Sequence, residues 1–146
     1  MLSLVFYPLS FGVYQVRVSE ALTVLPFLTP AAVPGLFVGC ALANLFGGMG
    51  WQDVVFGSLL TLVAAILTLL MARLKQVRYA WLLAPLPPVL VNAFGVSVYL
   101  APMIGVNYWF AVQMIGFGQL LSCYLLGVPL LRVLQKRASI FGAPKP

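Results

Sequence analysis

Histidine is absent from this chain of 146 residues, and acidic side chains are almost absent, since only two occur. The lack of histidine excludes nucleophilic triads that need a histidine base. Cys40 and Cys123 lie alone in apolar segments, without metal-ligand or disulfide spacing, so neither a metal site nor a cofactor is expected. Acid–base catalysis would have only Glu20 and Asp53 to use, and we therefore expect no enzyme.

Charged residues of both signs are scarce as well. They make up 7% of the chain, against about 25% in an average soluble domain, and the mean hydropathy is +1.09. Lipid is therefore the expected solvent for most of the surface, and residues 1–146 are predicted to form one all-α integral membrane domain. The net charge of +6 does not indicate nucleic-acid binding, because the basic residues form two small groups beside apolar segments.

The two basic groups predict the topology. They are Arg73, Lys75 and Arg78, and then Arg132, Lys136 and Arg137. The positive-inside rule places both groups and the C-terminus on the cytoplasmic side. The approximate spans are a partial one over 1–13, then 17–29, 30–48, 53–75, 79–103 and 107–135. Asp53 is expected to cap the start of its helix, and Arg17 and Glu20 are expected at the external boundary.

Glu20 and Arg17 are the feature that most needs explanation. An ionisable side chain near hydrocarbon costs roughly 2.5 to 3.5 kcal/mol unless it is paired or faces a polar cavity. One interpretation is a ligand site. The alternative is a structural or assembly subunit that transports nothing, in which the two side chains pair with each other at i, i+3.

Three carboxamides lie in the apolar spans and need polar partners. Asn44 stands beside a stripe of small residues at every fourth position, which predicts close helix packing: Ala31, Gly35, Gly39, Ala43 and Gly47. Asn92 follows three prolines, at 85, 87 and 88, where a helix is expected to start or kink. Gln119 shares a helix face with Gly116 and Cys123, and either an interhelical hydrogen bond or a ligand would explain it.

Aromatic rings recur at the predicted outer boundary. Tyr14, Tyr99 and Tyr108 are among them, and interface anchoring explains all of them, although some could stack on a flat ligand. One carboxylate, one guanidinium and several carboxamides suit a small polar solute rich in donors and acceptors. A carboxylate can accept two parallel N–H bonds, as a guanine-like ring offers.

Several strings together resemble the QueT family, and they cover nearly the whole chain in order. They are 15–26 (QVRVSEALTVLP), 30–40 (PAAVPGLFVGC), 42–45 (LANL), 53–59 (DVVFGSL), 86–93 (LPPVLVNA) and 123–131 (CYLLGVPLL). The resemblance implies a bundle of six transmembrane helices in the bacterial cell membrane, the first shortened here. It also implies the substrate-binding S component of an energy-coupling factor transporter that captures a queuosine precursor of the 7-deazaguanine type.

The resemblance further implies partners, and the polar residues suggest a hypothesis for their roles. A transmembrane coupling subunit and two ATPases would supply the energy, and no phosphate-binding loop is found in this chain. Glu20 would accept hydrogen bonds from the precursor and Arg17 would orient Glu20 or meet a carbonyl oxygen. The remaining contacts would come from Asn44, Asn92 and Gln119, with Tyr14, Tyr99 or Tyr108 closing over the ring.

Two departures from the family pattern are visible. Family members usually begin with a longer, alanine-rich first helix that contacts the coupling subunit, which bears on docking by this chain. Where the family commonly has Gly-Glu-Leu, this chain has Gly118, Gln119 and Leu120. Glutamine keeps an acceptor, adds donors and loses the charge, which bears on the precursor accepted.

Overall fold

The computed structural model describes residues 18–48, 50–74 and 80–137. Within these ranges the chain forms helices and no strand, which confirms the predicted all-α bundle. The helices are α1 (Val18–Phe27), α2 (Ala32–Phe46), α3 (Asp53–Met71), α4 (Ala80–Leu83), α5 (Leu86–Ile104) and α6 (Tyr108–Lys136). The partial helix predicted over 1–13 lies outside the described residues.

Three stretches are long and apolar enough to cross a membrane: α3 (Asp53–Met71), Trp81–Ile104, which runs from α4 through the turn to the end of α5, and α6 (Tyr108–Lys136). Two of them contain π-helical turns, Asp53–Gly57 at the start of α3 and Leu121–Gly127 within α6. α1 is a 3₁₀ helix with Pro26 inside it. A 3₁₀ helix rises about 2.0 Å per residue, so α1 covers more depth than its length in residues suggests.

The side chains inside the bundle are mostly small and many are polar, whereas the side chains on its surface are mostly large and apolar. α3 buries Ser58, Thr61 and Thr68 with two alanines between them, and the two threonine hydroxyls donate to carbonyls four residues earlier, at 2.9 Å each. The most exposed large apolar side chains include Leu45, Phe46, Val98, Phe117 and Leu125. Small residues between helices and large apolar ones outside are typical of proteins that pack within lipid.

An apolar core closes one end of the bundle. It contains Val24, Phe27, Ala84 and Leu131, with Ala72 and Trp81 packed against it. The guanidinium of Arg132 lies 3.7 Å from the centre of the Trp81 ring. Because the end of α3, the start of α4 and the end of α6 meet here, the described basic residues beside them lie at the same end of the bundle.

The proline-rich segment produces a break followed by a new helix. α4 ends at Leu83, Ala84 and Pro85 form a turn, and α5 begins at Leu86 with Pro87 in its first turn. Prolines are tolerated there because the first N–H groups of a helix have no intrahelical acceptor. The predicted start or kink is therefore a helix start, and Asn92 lies in the regular helix beyond it.

The small-residue stripe on α2 is packed at its end and exposed in its middle. Gly35 and Gly39 are exposed, and a Cβ built at either would meet no described atom within 4 Å. Of the stripe, Gly47 at the end of α2 is buried, and Asn44 beside the stripe is the buried residue within the helix. Spacing of small residues shows that close approach is possible, but it does not show which helix face receives a neighbour.

Candidate functional site

Glu20 lies inside the bundle and receives a hydrogen bond from a carboxamide on α5. Its side chain is 6% exposed, and Asn92, at 3%, donates from Nδ2 to Glu20 Oε2 over 3.3 Å. An ionised carboxylate only accepts hydrogen bonds, so Nδ2 is the end of the Asn92 amide that belongs beside it. The structure therefore brings together two of the residues predicted for the site.

Gln119, a third predicted residue, joins this pair through Cys123. The Cys123 thiol has two acceptors nearby, Gln119 Oε1 at 3.7 Å and the Glu20 carbonyl oxygen at 3.5 Å. Thr23 donates from its hydroxyl to the same carbonyl at 2.6 Å and lies 3.7 Å from the Cys123 sulfur. We call Glu20, Thr23, Asn92, Gln119 and Cys123 the Glu20 cluster.

Polar atoms in and beside the Glu20 cluster remain available. Within the described residues, the side-chain hydrogen bonds of Asn92 and Gln119 use Nδ2 and Oε1, and none reaches Asn92 Oδ1 or Gln119 Nε2. Ser122 Oγ is the one fully buried side-chain oxygen or nitrogen of the described part that lacks a partner. Because Asn92 Oδ1 and Gln119 Nε2 lack a partner but are not fully buried, both atoms retain some accessible surface. Leaving such groups unpaired costs about 1–3 kcal/mol each, which a bound solute or water would offset.

The Glu20 cluster lies near the middle of the bundle. Asn92 is central in the segment Trp81–Ile104, and Gln119 lies roughly 16 Å along α6 from its first residue, Tyr108. The Glu20 side chain therefore lies deeper in the bundle than the helix ends, and its predicted place on the external side stays a prediction. The reason is tertiary: α1 continues from Glu20 to the apolar core at the basic end, where Phe27 packs.

Asn44 and Tyr99, also predicted for the site, lie in a different group around the second acid. Asp53 is 3% exposed, and its Oδ1 accepts from the Tyr99 hydroxyl at 2.6 Å. Asn44 donates from Nδ2 to the Asp53 carbonyl oxygen at 2.8 Å and to the Cys40 sulfur at 3.5 Å. We call Asp53, Asn44, Tyr99 and Cys40 the Asp53 cluster. It ties together the ends of α2, α3 and α5.

Asp53 does not cap its helix in the predicted way. It begins the π-helical turn at the start of α3, no side-chain cap bond is made there, and its carboxylate instead receives the Tyr99 hydroxyl. Gly57 ends that turn, and a Cβ there would lie 3.1 Å from Asn44 Nδ2. The glycine thus leaves the space that Asn44 occupies.

The two clusters are stacked along one face of α5. Tyr99 follows Asn92 by seven positions, two helical turns, which places it on the same face and about 10 Å further along the axis. The Asp53 cluster therefore lies between the Glu20 cluster and the Ile104 end of α5. The ring of Tyr99 also contacts Phe56, with centroids 6.0 Å apart.

The other predicted residues are only partly described. Tyr108 donates from its hydroxyl to the Phe94 carbonyl oxygen at 3.3 Å, and its ring meets Trp109 edge-on. Arg17 and Tyr14 lie outside the described residues, so their roles stay predictions. Sequence reasoning missed Thr23 and gave Cys123 no role beyond packing. Their spacing carried the signal, since each lies one helical turn from a predicted site residue.

The Glu20 cluster offers hydrogen-bonding groups that a solute could use. It offers carboxylate and amide acceptors and an amide donor inside a membrane-type bundle. No group of three or more histidine, cysteine, aspartate or glutamate side chains suited to a metal ion occurs in the described part. A buried acid with amides can select a solute by its pattern of donors and acceptors.

Comparison with models of known protein families finds a match. The family model described as "QueT transporter" matches residues 1–136 of the chain. Comparison with curated proteins and with solved structures finds no match.

Proposed function

The chain belongs to the QueT transporter family, and we propose that it is the substrate-binding S component of an energy-coupling factor importer. Its substrate would be a queuosine precursor of the 7-deazaguanine type, captured from outside a bacterial cell. It is a membrane protein with the small, polar interior and apolar surface described above.

The observation that carries the proposal is the buried Glu20 carboxylate with Asn92 bonded to it and Gln119 linked to the Glu20 backbone through Cys123, both amides having an available atom. A carboxylate within the bundle is costly unless it has a function or a partner. Glu20 has a partner in Asn92, yet Asn92 Oδ1 and Gln119 Nε2 still offer an acceptor and a donor. A 7-deazaguanine ring presents N–H groups beside a carbonyl oxygen, and these groups complement that set.

The assignment of roles follows from the two clusters. Glu20 would accept from the amidine-like edge of the ring, while Asn92 and Gln119 supply in-plane partners. Asn44 and Tyr99 support the Asp53 cluster instead of touching the ring. Arg17 as an orienting residue, and Tyr14 and Tyr108 as covering rings, remain predictions.

Energy and orientation belong to the same proposal. A transmembrane coupling subunit and two ATPases would drive uptake, so ATP hydrolysis would occur in partners. Arg73, Arg132, Lys136 and Arg137 lie at one end of the described bundle, which supports a cytoplasmic C-terminus by the positive-inside rule. The Asp53 cluster would then face outward and the Glu20 cluster would receive solute from that side.

Equilibrium binding to purified protein tests the proposal. We expect 7-cyano-7-deazaguanine, 7-aminomethyl-7-deazaguanine or queuine to bind, and adenine to bind far more weakly. Glu20→Gln should weaken binding by about 1.5–3 kcal/mol, roughly 10- to 150-fold in Kd, because a hydrogen bond to a charged group is lost.

The matched control is Asp53→Asn, which neutralises the other acid of the chain. It should leave Kd unchanged in protein that remains folded, as judged by gel filtration in detergent. Equal losses in both variants, or no loss in Glu20→Gln, would remove Glu20 from the binding site.

A further inference from the structure

Cys123 lies on α6 and is fully buried against α1. Its thiol contacts the Glu20 carbonyl oxygen on α1 and Gln119 Oε1 on α6. We propose that Cys123 is a positioning residue: it turns the Gln119 carboxamide so that Nε2 donates to the bound ring. This inference rests on the proposed function, and it assigns a role to a residue that the ligand itself does not need to touch.

The argument begins with the asymmetry of a carboxamide. One end of Gln119 accepts and the other donates, and the two ends have nearly the same shape. The thiol of Cys123 is a weak donor, and the acceptor it reaches on this side chain is Oε1, at 3.7 Å. With Oε1 turned toward Cys123, Nε2 is left for another partner.

Thr23 supports the donor role of the thiol. Its single hydroxyl hydrogen is used in the 2.6 Å bond to the Glu20 carbonyl oxygen. The Thr23 oxygen beside the Cys123 sulfur, at 3.7 Å, is therefore left to act as an acceptor. The thiol has one hydrogen and three acceptors around it, Glu20 O at 3.5 Å and Thr23 Oγ1 and Gln119 Oε1 at 3.7 Å, so Gln119 Oε1 shares this donor with the other two.

The ligand must therefore match a fixed pattern of hydrogen-bond donors and acceptors. Glu20 and the free Oδ1 of Asn92 present acceptors, whereas Gln119 presents a donor. A ring that satisfies all of them carries neighbouring N–H donors followed by an acceptor. In a 7-deazaguanine that acceptor is the oxygen at C6, and strict selection for it is the property that Cys123 would control.

The test measures a ratio of affinities. 7-Deazaguanine and its 6-thio analogue differ only in the atom that Gln119 Nε2 would meet, and sulfur is the weaker acceptor. Wild-type protein should favour the oxygen compound, and Gln119→Leu, which has no donor, sets the baseline ratio. Cys123→Ala should move the ratio toward that baseline by up to about tenfold, the value of one hydrogen bond.

Two further variants separate positioning from packing. Cys123→Ser keeps a donor at the same place and should retain the wild-type ratio, and Cys40→Ala, the other cysteine, should retain it too. If Cys123→Ala weakens both compounds equally and leaves the ratio as in wild type, the residue only fills space and the inference is wrong. A wild-type ratio equal to that of Gln119→Leu would also overturn it.

A measurement without ligand keeps this inference distinct from the proposed function. The infrared S–H band of Cys123, assigned by difference against Cys123→Ala, should shift to higher frequency in Gln119→Leu, because the thiol loses an acceptor. An unshifted band contradicts the Cys123–Gln119 bond. If wild-type protein binds neither compound while the band does shift, the proposed function fails and the orientation of Gln119 stands.

Discussion

Removing the Tyr99 hydroxyl should weaken the Asp53 cluster and the bundle with it. Tyr99→Phe keeps the ring, and therefore its contact with Phe56 at 6.0 Å, but it deletes the donor that lies 2.6 Å from Asp53 Oδ1. Asp53 is 3% exposed, so water cannot easily replace that donor. The variant should therefore lower the free energy of unfolding.

The size of the loss follows from two limits. A hydrogen bond to a charged group contributes about 1.5–3 kcal/mol in proteins generally. Side-chain bonds between membrane helices average only about 0.6 kcal/mol and reach about 1.7. The Tyr99–Asp53 bond is short, at 2.6 Å, and its acceptor is buried, which favours the upper part of the membrane range. We therefore expect a loss of about 1.5 kcal/mol, or roughly 3–6 °C in Tm for a chain of this size.

Thermal unfolding in detergent measures this loss, and a double-mutant cycle assigns it. Tyr99→Phe, Asp53→Asn and the double variant should show a coupling energy of about 1 kcal/mol or more. Binding of the 7-deazaguanine should be unchanged in Tyr99→Phe, because Tyr99 lies two turns from Asn92. A loss below about 0.5 kcal/mol with no coupling would refute the reasoning.

Two further predictions concern packing and the basic end. Gly127→Ala should lower the free energy of unfolding by about 1 kcal/mol, because a Cβ there would lie 3.1 Å from the Ala21 carbonyl oxygen. Gly39→Ala should raise it by about 0.5–1 kcal/mol, because a Cβ there meets no described atom within 4 Å. Thermal unfolding that shifts both variants in the same direction would contradict this. Arg132→Gln should cost about 0.5–1 kcal/mol by removing the cation above the Trp81 ring. The same Arg132→Gln change in a Trp81→Leu background should cost nothing further, and an equal cost there would exclude the ring contact.

The sequence was sufficient for the fold class and for two residues of the Glu20 cluster besides Glu20 itself, Asn92 and Gln119. Scarce charge and long apolar runs predict a helical membrane domain, and the three long apolar helices agree with it. The face shared by Gly116, Gln119 and Cys123 was also predictable, because an i, i+3, i+7 spacing is local. Gly116 indeed lies against Ala93, where a Cβ would be 3.4 Å away.

The partners of Asn44 and Tyr99 could not be predicted. Both are polar residues on apolar helices, and their pairing depends on which helix ends meet in the folded chain. The burial of the Glu20 side chain beside Asn92 was not predictable for a related reason, since it depends on where α1 packs. The π-helical turns at Asp53–Gly57 and Leu121–Gly127 also depart from the regular period on which helix-face predictions rest.

The most direct test of the account is a structure of the protein with 7-cyano-7-deazaguanine bound. We expect the ring in the plane of the Glu20 carboxylate, with N–H donors about 2.7–3.1 Å from its oxygens. Asn92 and Gln119 should each contact the ring edge as well. A ring found elsewhere in the bundle, with Glu20 still bonded only to protein groups, would contradict the central claim.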